Sequence, residues 1–340
     1  MMTFRSPFIH GLRTSILVVA LLMAAVPVLE AQTDLGGQRV GTASGTFLKI
    51  PFSARGAALG GAYAALVTGP EAVFINPAGL SLQEGSGVAV GFVQWPADLT
   101  ITSAVYSHYH RGLDMHLAIF GAGMHTTMTE TTEFNPLGID GREFSFSDWV
   151  AGLSMSRHFT DRLTIGVGIR YFRENLGTEI GGPSINAVLF DAGNIYRLGF
   201  RAARLAFSIN NFGGDLRPGG SYVSSTQGTE IRYAAFSAPT LFRLSFAIDT
   251  WRRNDQVLWM VTEIQNHADN EETFIGGMEY GYGNILTLRA GYNFNSDVFR
   301  LGLGGGLKTE VGGNPLALDY AYSDGDYLGD VHHWSLTFNF

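Results

Sequence analysis

The sequence predicts an all-β fold, an antiparallel transmembrane barrel of about fourteen strands with a short plug-like segment ahead of it. Three observations lead there. Strictly alternating stretches recur through residues 86–340, the one long apolar run is too short for a membrane helix, and the chain closes on an amphipathic stretch ending in an aromatic residue. Composition agrees. Charged residues make up only 15%, while glycine numbers 44 and aromatics reach 12%, which favours many short strands over long helices and argues against disorder.

Residues 1–31 read as a secretory signal. Arg5 and Arg13 give a positive start, Ile16 to Val28 an apolar middle, and Ala31 a small residue at the expected cleavage point, although Leu29 departs from the usual small residue. The apolar run falls short of the ~20 residues a spanning helix needs, and no second run of that length follows. A membrane location therefore requires a closed barrel, which satisfies every backbone polar group in lipid. The absence of cysteine excludes disulfides, thiolate metal sites and a lipid-anchored cysteine. The expected location is the outer membrane of a diderm bacterium, after Sec export.

Residues 32–85 form the plug-like segment, and their core is Phe52 to Leu80. Gly56, Ala57, Ala58, Gly60, Gly61 and Ala62 let backbones approach closely. Asn76-Pro77-Ala78-Gly79 is turn chemistry, with Asn bonding locally, Pro fixing φ and Gly permitting positive φ. Such a stretch suits a confined space.

Barrel strands follow over residues 86–340. Leu163, Ile165, Val167, Ile169 and Tyr171 alternate with Thr164, Gly166, Gly168 and Arg170; Phe242, Leu244, Phe246 and Ile248 alternate with Arg243, Ser245, Ala247 and Asp249. One face is apolar and the other small or polar, as lipid and lumen demand. The expected strands lie near 87–95, 100–109, 114–124, 147–157, 162–173, 185–196, 202–211, 239–250, 256–265, 272–281, 286–295, 298–307, 315–323 and 332–340. Their parity puts the long connections (from Thr126 to Asp140 and onward, Glu174 to Pro183, Asn211 to Ala238) at one end and short turns such as Thr160-Asp161 and Asn254-Asp255 at the other. That is the asymmetry of bacterial barrels, with long loops outside. At the end of the chain, Trp334, Leu336, Phe338 and Phe340 alternate with polar neighbours and resemble the signal that outer-membrane barrels present to their insertion machinery.

SARGAALGGAY, from Ser53, Ala54, Arg55 and Gly56 through Gly60 and Gly61, followed by NPAGL at Asn76, Pro77, Ala78 and Gly79, resembles the N-terminal motif of the PorV/PorQ family, which is related to FadL-type barrels. Gly277-Met278-Glu279-Tyr280, Leu288 to Tyr292, Gly302-Leu303-Gly304, Asp319 to Tyr322 and His333 to Leu336 resemble the same group's strand pattern. Residues from about Met124 to Ala238 carry no such match. The resemblance implies a fourteen-stranded barrel with the N-terminal segment near or inside its lumen.

Alternation places Glu263, Glu279, Arg289, Arg300 and Asp319 on the lumen side of successive strands, where opposite charges pair. A structural charge network outweighs a selectivity lining there. His108 and His110 share a strand face, whereas the adjacent His332 and His333 point to opposite faces, so no converging metal set forms. Asp324, Asp326 and Asp330 lack the final ligand of a calcium loop. No Gly-x-Ser-x-Gly elbow is present, no catalytic residue or cofactor is expected, and a net charge of −8 without a basic stripe argues against nucleic acid. Phe134, Phe144, Phe146 and Trp149 fit an aromatic girdle at the outer interface.

The resemblance implies a non-enzymatic accessory of type IX secretion, which binds secreted cargo or its C-terminal signal domain. The alternatives are a FadL-like channel for uptake of hydrophobic small molecules, with the N-terminal segment as its plug, and a barrel that is a structural member of an envelope complex. The expected partners are outer-membrane lipid, the barrel-insertion machinery, and either cargo and secretion components or a fatty-acid-like ligand.

Overall fold

The computed structural model describes residues 41–132, 134–139, 141–223, 228–296 and 298–340, so the expected signal at 1–31 lies outside the described residues. Alternating sequence becomes sixteen strands: β1 Gly87–Trp95, β2 Leu99–His110, β3 Met115–Thr129, β4 Glu143–His158, β5 Leu163–Leu176, β6 Ser184–Arg197, β7 Arg204–Phe212, β8 Ser221–Val223, β9 Glu230–Arg232, β10 Leu241–Arg253, β11 Gln256–His267, β12 Thr273–Tyr282, β13 Leu286–Asn293, β14 Leu301–Val311, β15 Asn314–Ser323 and β16 Val331–Asn339. Fourteen of them close into one antiparallel barrel, and β8 and β9 form a separate hairpin. Each barrel strand pairs with its chain neighbour, and β1 closes on β16 from Gly87 opposite Asn339 to Gln94 opposite His332. Ser86 and Phe340 exchange backbone hydrogen bonds, so the barrel begins and ends at its short-turn end.

The two faces differ in chemistry. Apolar side chains left exposed, among them Val90, Ile119, Leu153, Ile169, Leu244, Leu288, Leu318 and Leu336, come from strands all around the circumference and form the lipid-facing band. The intervening inward positions mix small, polar and charged residues with large apolar ones such as Ile101, Phe120, Phe172, Leu189 and Ile195, so the inner face is more apolar than alternation alone predicts, because it packs on the chain's own N-terminal segment. No helix among the described residues is long and apolar enough to cross a membrane.

Several boundaries differ from the sequence expectation. β3 and β4 run to 15 and 16 residues, because Thr126 to Thr129 continue to pair with Glu143 to Phe146 and shorten the expected loop. β8 and β9 arise inside the connection from Asn211 to Ala238, which was expected to be a plain loop. The aromatic girdle is also smaller than expected: Trp149 faces outward and packs on Tyr171, but Phe146 packs against the interior and Phe134 stands on a loop tip. The β6–β7 ladder shifts register between Phe190 and Ala192, where Asp191 is turned inward.

Candidate functional site

The lumen is filled by the chain's own N-terminal segment. Residues 42–50 enter at the long-loop end, where Ala43 bridges Ser237, Ser44 bonds Glu174, and Lys49 meets Asp269 at 2.7 Å. The segment then crosses between opposite walls and leaves beside β1 at the short-turn end. From Phe47 to Leu80 almost every apolar residue is buried, and Phe47, Phe52, Phe74 and Phe120 pack ring against ring in series, the first and last pairs edge to face and Phe52 on Phe74 tilted. The small residues of this stretch are what let a backbone fit inside a ring of inward side chains.

One half of the segment is held by charge. Ser53 caps the single-turn helix α1 (Ala54–Ala58), its hydroxyl accepting from Gly56 N at 3.4 Å. From that turn Arg55 donates two hydrogen bonds to Glu279, at 2.7 and 2.6 Å. Glu279 also accepts from Arg289 at 2.7 Å, and Arg289 reaches Asp319 at 2.5 Å, so two cations and two carboxylates alternate. Arg55 also lies 5.1 Å from the Tyr63 ring centre. Farther along, Glu263 accepts from Ala64 N at 2.9 Å and from Gln265 at 2.8 Å, with Arg243 at 3.5 Å. Each luminal carboxylate in this group is buried and paired, which is the condition on which a buried charge is tolerated.

The other half is held by fit and neutral hydrogen bonds. Asn76 donates to the carbonyls of Ala64 at 3.2 Å and Asn194 at 3.1 Å, while its Oδ1 accepts from Ala78 N at 3.2 Å. That last bond caps the turn Pro77–Leu82, whose first residue, proline, has no N–H to satisfy. Ser156 bonds Ser81 at 2.9 Å and donates to the Ala78 carbonyl at 3.1 Å. The wall comes so near here that a Cβ on Gly166 would lie 2.3 Å from the Pro77 carbonyl carbon. Behind this half Arg170, 1% exposed, bonds Asp191 at 2.6 Å, Asn211 at 2.9 Å and the Val73 carbonyl at 3.1 Å. Between the halves, Glu71 accepts from Ser53 Oγ at 2.6 Å, and burial pushes its carboxyl up from the ordinary carboxylate value while that hydrogen bond opposes the rise.

Of the residues singled out from sequence, Ser53, Ala54, Arg55, Gly56, Gly60, Gly61, Asn76, Pro77, Ala78 and Gly79 lie in the luminal segment. Glu279, Arg289 and Asp319 meet in one chain with Arg55, and Glu263 anchors Ala64 separately. Arg300 is a correction. It is exposed in the β13–β14 connection and donates to the Ser296 carbonyl at 2.7 Å, because β14 starts at Leu301, one residue too late to carry it inward. Trp334, Leu336 and Phe338 lie on β16, and Phe340 follows it. Arg170, Asp191, Lys49 and the wall glycines were not singled out. The available signal was that Gly166 and Arg170 share the inward parity of one strand.

Above α1, at the long-loop end, a cavity of about 70 Å³ is lined by Pro51, Ala57, Gly60, Trp95, Phe299, His333 and neighbours. Trp95 and Phe299 pack with ring centres 4.9 Å apart, and no charged residue lines the cavity. Among the described residues no group of three His, Asp or Glu is placed to hold a metal.

This architecture has structural neighbours among FadL-family outer-membrane barrels. The monoaromatic hydrocarbon channel CymD is 13% identical, with a TM-score of 0.55 over 85% of this chain and 97% of its own. A FadL homologue from Pseudomonas aeruginosa is 13% identical, at TM-score 0.57 over 85% and 98%. The Pseudomonas putida toluene transporter TodX is 13% identical, at 0.54 over 84% and 96%. No protein-family model and no curated protein matches the chain. At this identity the likeness establishes the fold.

Proposed function

We propose that this chain is a non-enzymatic outer-membrane channel for small hydrophobic molecules, closed at rest by residues 42–82. The observation that carries this reading is how the lumen is closed. The tethers between segment and wall are ion pairs, hydrogen bonds and close packing, all reversible, and beside the segment lies an apolar, uncharged cavity. The solute class named for the hydrocarbon channel and the toluene transporter agrees with that lining. Of the buried inward carboxylates, Glu263, Glu279, Asp319 and Asp191 are engaged in holding structure, while Asp148 on β4 has one buried oxygen without a partner among the described residues; the predominance of paired carboxylates favours a conduit over a reaction centre.

The PorV/PorQ resemblance supports a second reading, capture of secreted cargo for type IX export, and one surface favours it. The β3–β4 loop presents Phe134, Leu137 and Ile139 at 96%, 81% and 68% exposure. Asn135 fixes the tip by bonding both N–H and C=O of Ile139, and Arg142 pairs with Glu130 at its base. Exposed apolar side chains at a loop tip suit a protein partner. Isolating the native protein in detergent and identifying what co-purifies separates the two. An apolar small molecule without protein partners supports the channel; secreted proteins sharing a C-terminal β-domain overturn it in favour of export.

A further inference from the structure

Two neighbouring short turns carry arginine without carboxylate partners. The β4–β5 turn is Phe159-Thr160-Asp161-Arg162, and the β6–β7 turn with its flanks runs from Arg197 through Leu198, Gly199, Phe200 and Arg201 to Arg204. The turns are joined. Arg197 N donates to the Arg162 carbonyl at 2.8 Å, and the Arg162 guanidinium lies against Gly199, with Nη2 3.6 Å from where a Cβ would stand. Arg197 and Arg204 are directly opposed across the β6–β7 ladder, and like charges in that arrangement cost stability unless something neutralises them. Arg204 is taken up by Trp259, 5.3 Å from its ring centre, and Arg201 spends one of its five N–H groups on the Thr250 carbonyl at 2.7 Å. Arg162, Arg197 and Arg201 stay exposed. None of the four pairs with a carboxylate among the described residues, not even with Asp161, the one acid in these turns.

Bare apolar side chains stand between these cations. Phe159 and Phe200 are each 64% exposed, Leu198 is exposed between Arg197 and Arg201, and the exposed Tyr196 and Leu205 continue onto the lipid-facing band. Water penalises such a mixture, whereas the headgroup layer of a bilayer satisfies both kinds at once, phosphate meeting the guanidinium fork and acyl chain meeting the rings. We infer that these two turns form a binding site for the phosphodiester headgroup of an anionic phospholipid in the leaflet at the short-turn end. Arg162 and Arg201 take the phosphate, Arg197 adds charge, and Phe159, Leu198 and Phe200 meet the acyl region. A zwitterionic headgroup brings its own ammonium into the excess of cations and gains less. The site is the same whether the barrel conducts solutes or captures cargo.

The test is native mass spectrometry of the full-length, detergent-purified protein titrated with phosphatidylglycerol and, separately, with phosphatidylethanolamine of the same acyl chains. The expected result is phosphatidylglycerol bound about tenfold tighter, the scale of one or two cation contacts at a membrane surface. Arg162→Gln with Arg201→Gln is expected to erase that preference. Arg217→Gln with Arg300→Gln, which removes two exposed charges at the long-loop end, is expected to keep it. Inorganic phosphate should leave the lipid in place, because it makes no apolar contact. Retained folding is read from heat-modifiable gel migration, and if the first double variant fails to fold, Arg162→Gln alone is expected to lower the preference about threefold. Equal binding of the two lipids overturns the inference, as does a preference that survives Arg162→Gln with Arg201→Gln or falls equally in the long-loop pair. Displacement by inorganic phosphate makes this a site for a free anion and overturns the lipid assignment. None of these outcomes bears on the channel reading.

Discussion

The two halves of the luminal segment are held by different physics. Residues 54–65 are tied to β11–β15 by buried charge, through Arg55 to Glu279 and Ala64 to Glu263, in addition to close backbone approach at Gly291 and Gly302, whereas residues 76–82 sit against β4–β6 through neutral hydrogen bonds and close approach of the Pro77 backbone to Gly166 and of the Asn76 side chain to Gly193. A buried ion pair has a large cost of rupture but can be satisfied by other partners, including water admitted from the mouth. Steric fit has no such substitute. The difference is that the first half adds buried charge to close packing, whereas the second relies on neutral hydrogen bonds and close packing alone.

The largest expected effect breaks the charged half. Glu279→Ala leaves Arg55 buried without its carboxylate and is expected to cost about 3–5 kcal/mol, read as a drop in thermal stability with greater proteolysis of the segment. Glu279→Gln, which still accepts from both arginines, should cost less. A Glu279→Ala protein as stable as wild type would mean that charge does not hold this half.

Next comes the fitted half. Gly166→Val drives a branched side chain into the Pro77 backbone and is expected to cost about 1–3 kcal/mol by overpacking. Sensitivity of the segment to protease near Ala78, with Arg55 still protected, would sharpen the distinction between the halves. Loss of protection at both ends would erase it.

Glu71 stands between them and gives a smaller, pH-dependent effect. Its carboxyl is raised by burial, so the folded chain holds that proton more tightly than the unfolded chain. The corresponding stability is complete below the unfolded carboxylate range and is lost as pH rises through the raised folded value. Glu71→Gln removes the titration, and melting followed against pH should lose that part of its slope; an unchanged slope contradicts the role assigned to burial. Smallest of all is Arg300→Ala. With the side chain exposed on a loop, stability should move by no more than about 0.5 kcal/mol.

The barrel was legible because alternation is a local property. Leu163 to Tyr171 and Phe242 to Asp249 declare their two faces without reference to anything distant, and turn residues separate one strand from the next. Strand ends were less legible, since Thr126 to Thr129 pair only because Glu143 to Phe146 lie opposite them. Arg300 failed for the same reason: its parity was inward, but the strand had not yet begun. The partnership of Arg55 with Glu279 joins residues 224 positions apart, and nothing local in either stretch names the other. Gly166 and Gly193 read as small residues of a lumen face, and only the segment threading past them shows why a side chain is excluded. His333 was set aside as one of an adjacent pair, and what separates it from His332 is burial against a cavity.

The most direct measurement compares the flux of a hydrophobic solute through proteoliposomes carrying the intact protein with flux through those carrying a barrel that lacks Phe52 to Leu80. A plug predicts a marked rise in flux on deletion, from a barrel that still shows heat-modifiable migration. Equal flux through two folded barrels would contradict it and make the segment a structural core rather than a closure.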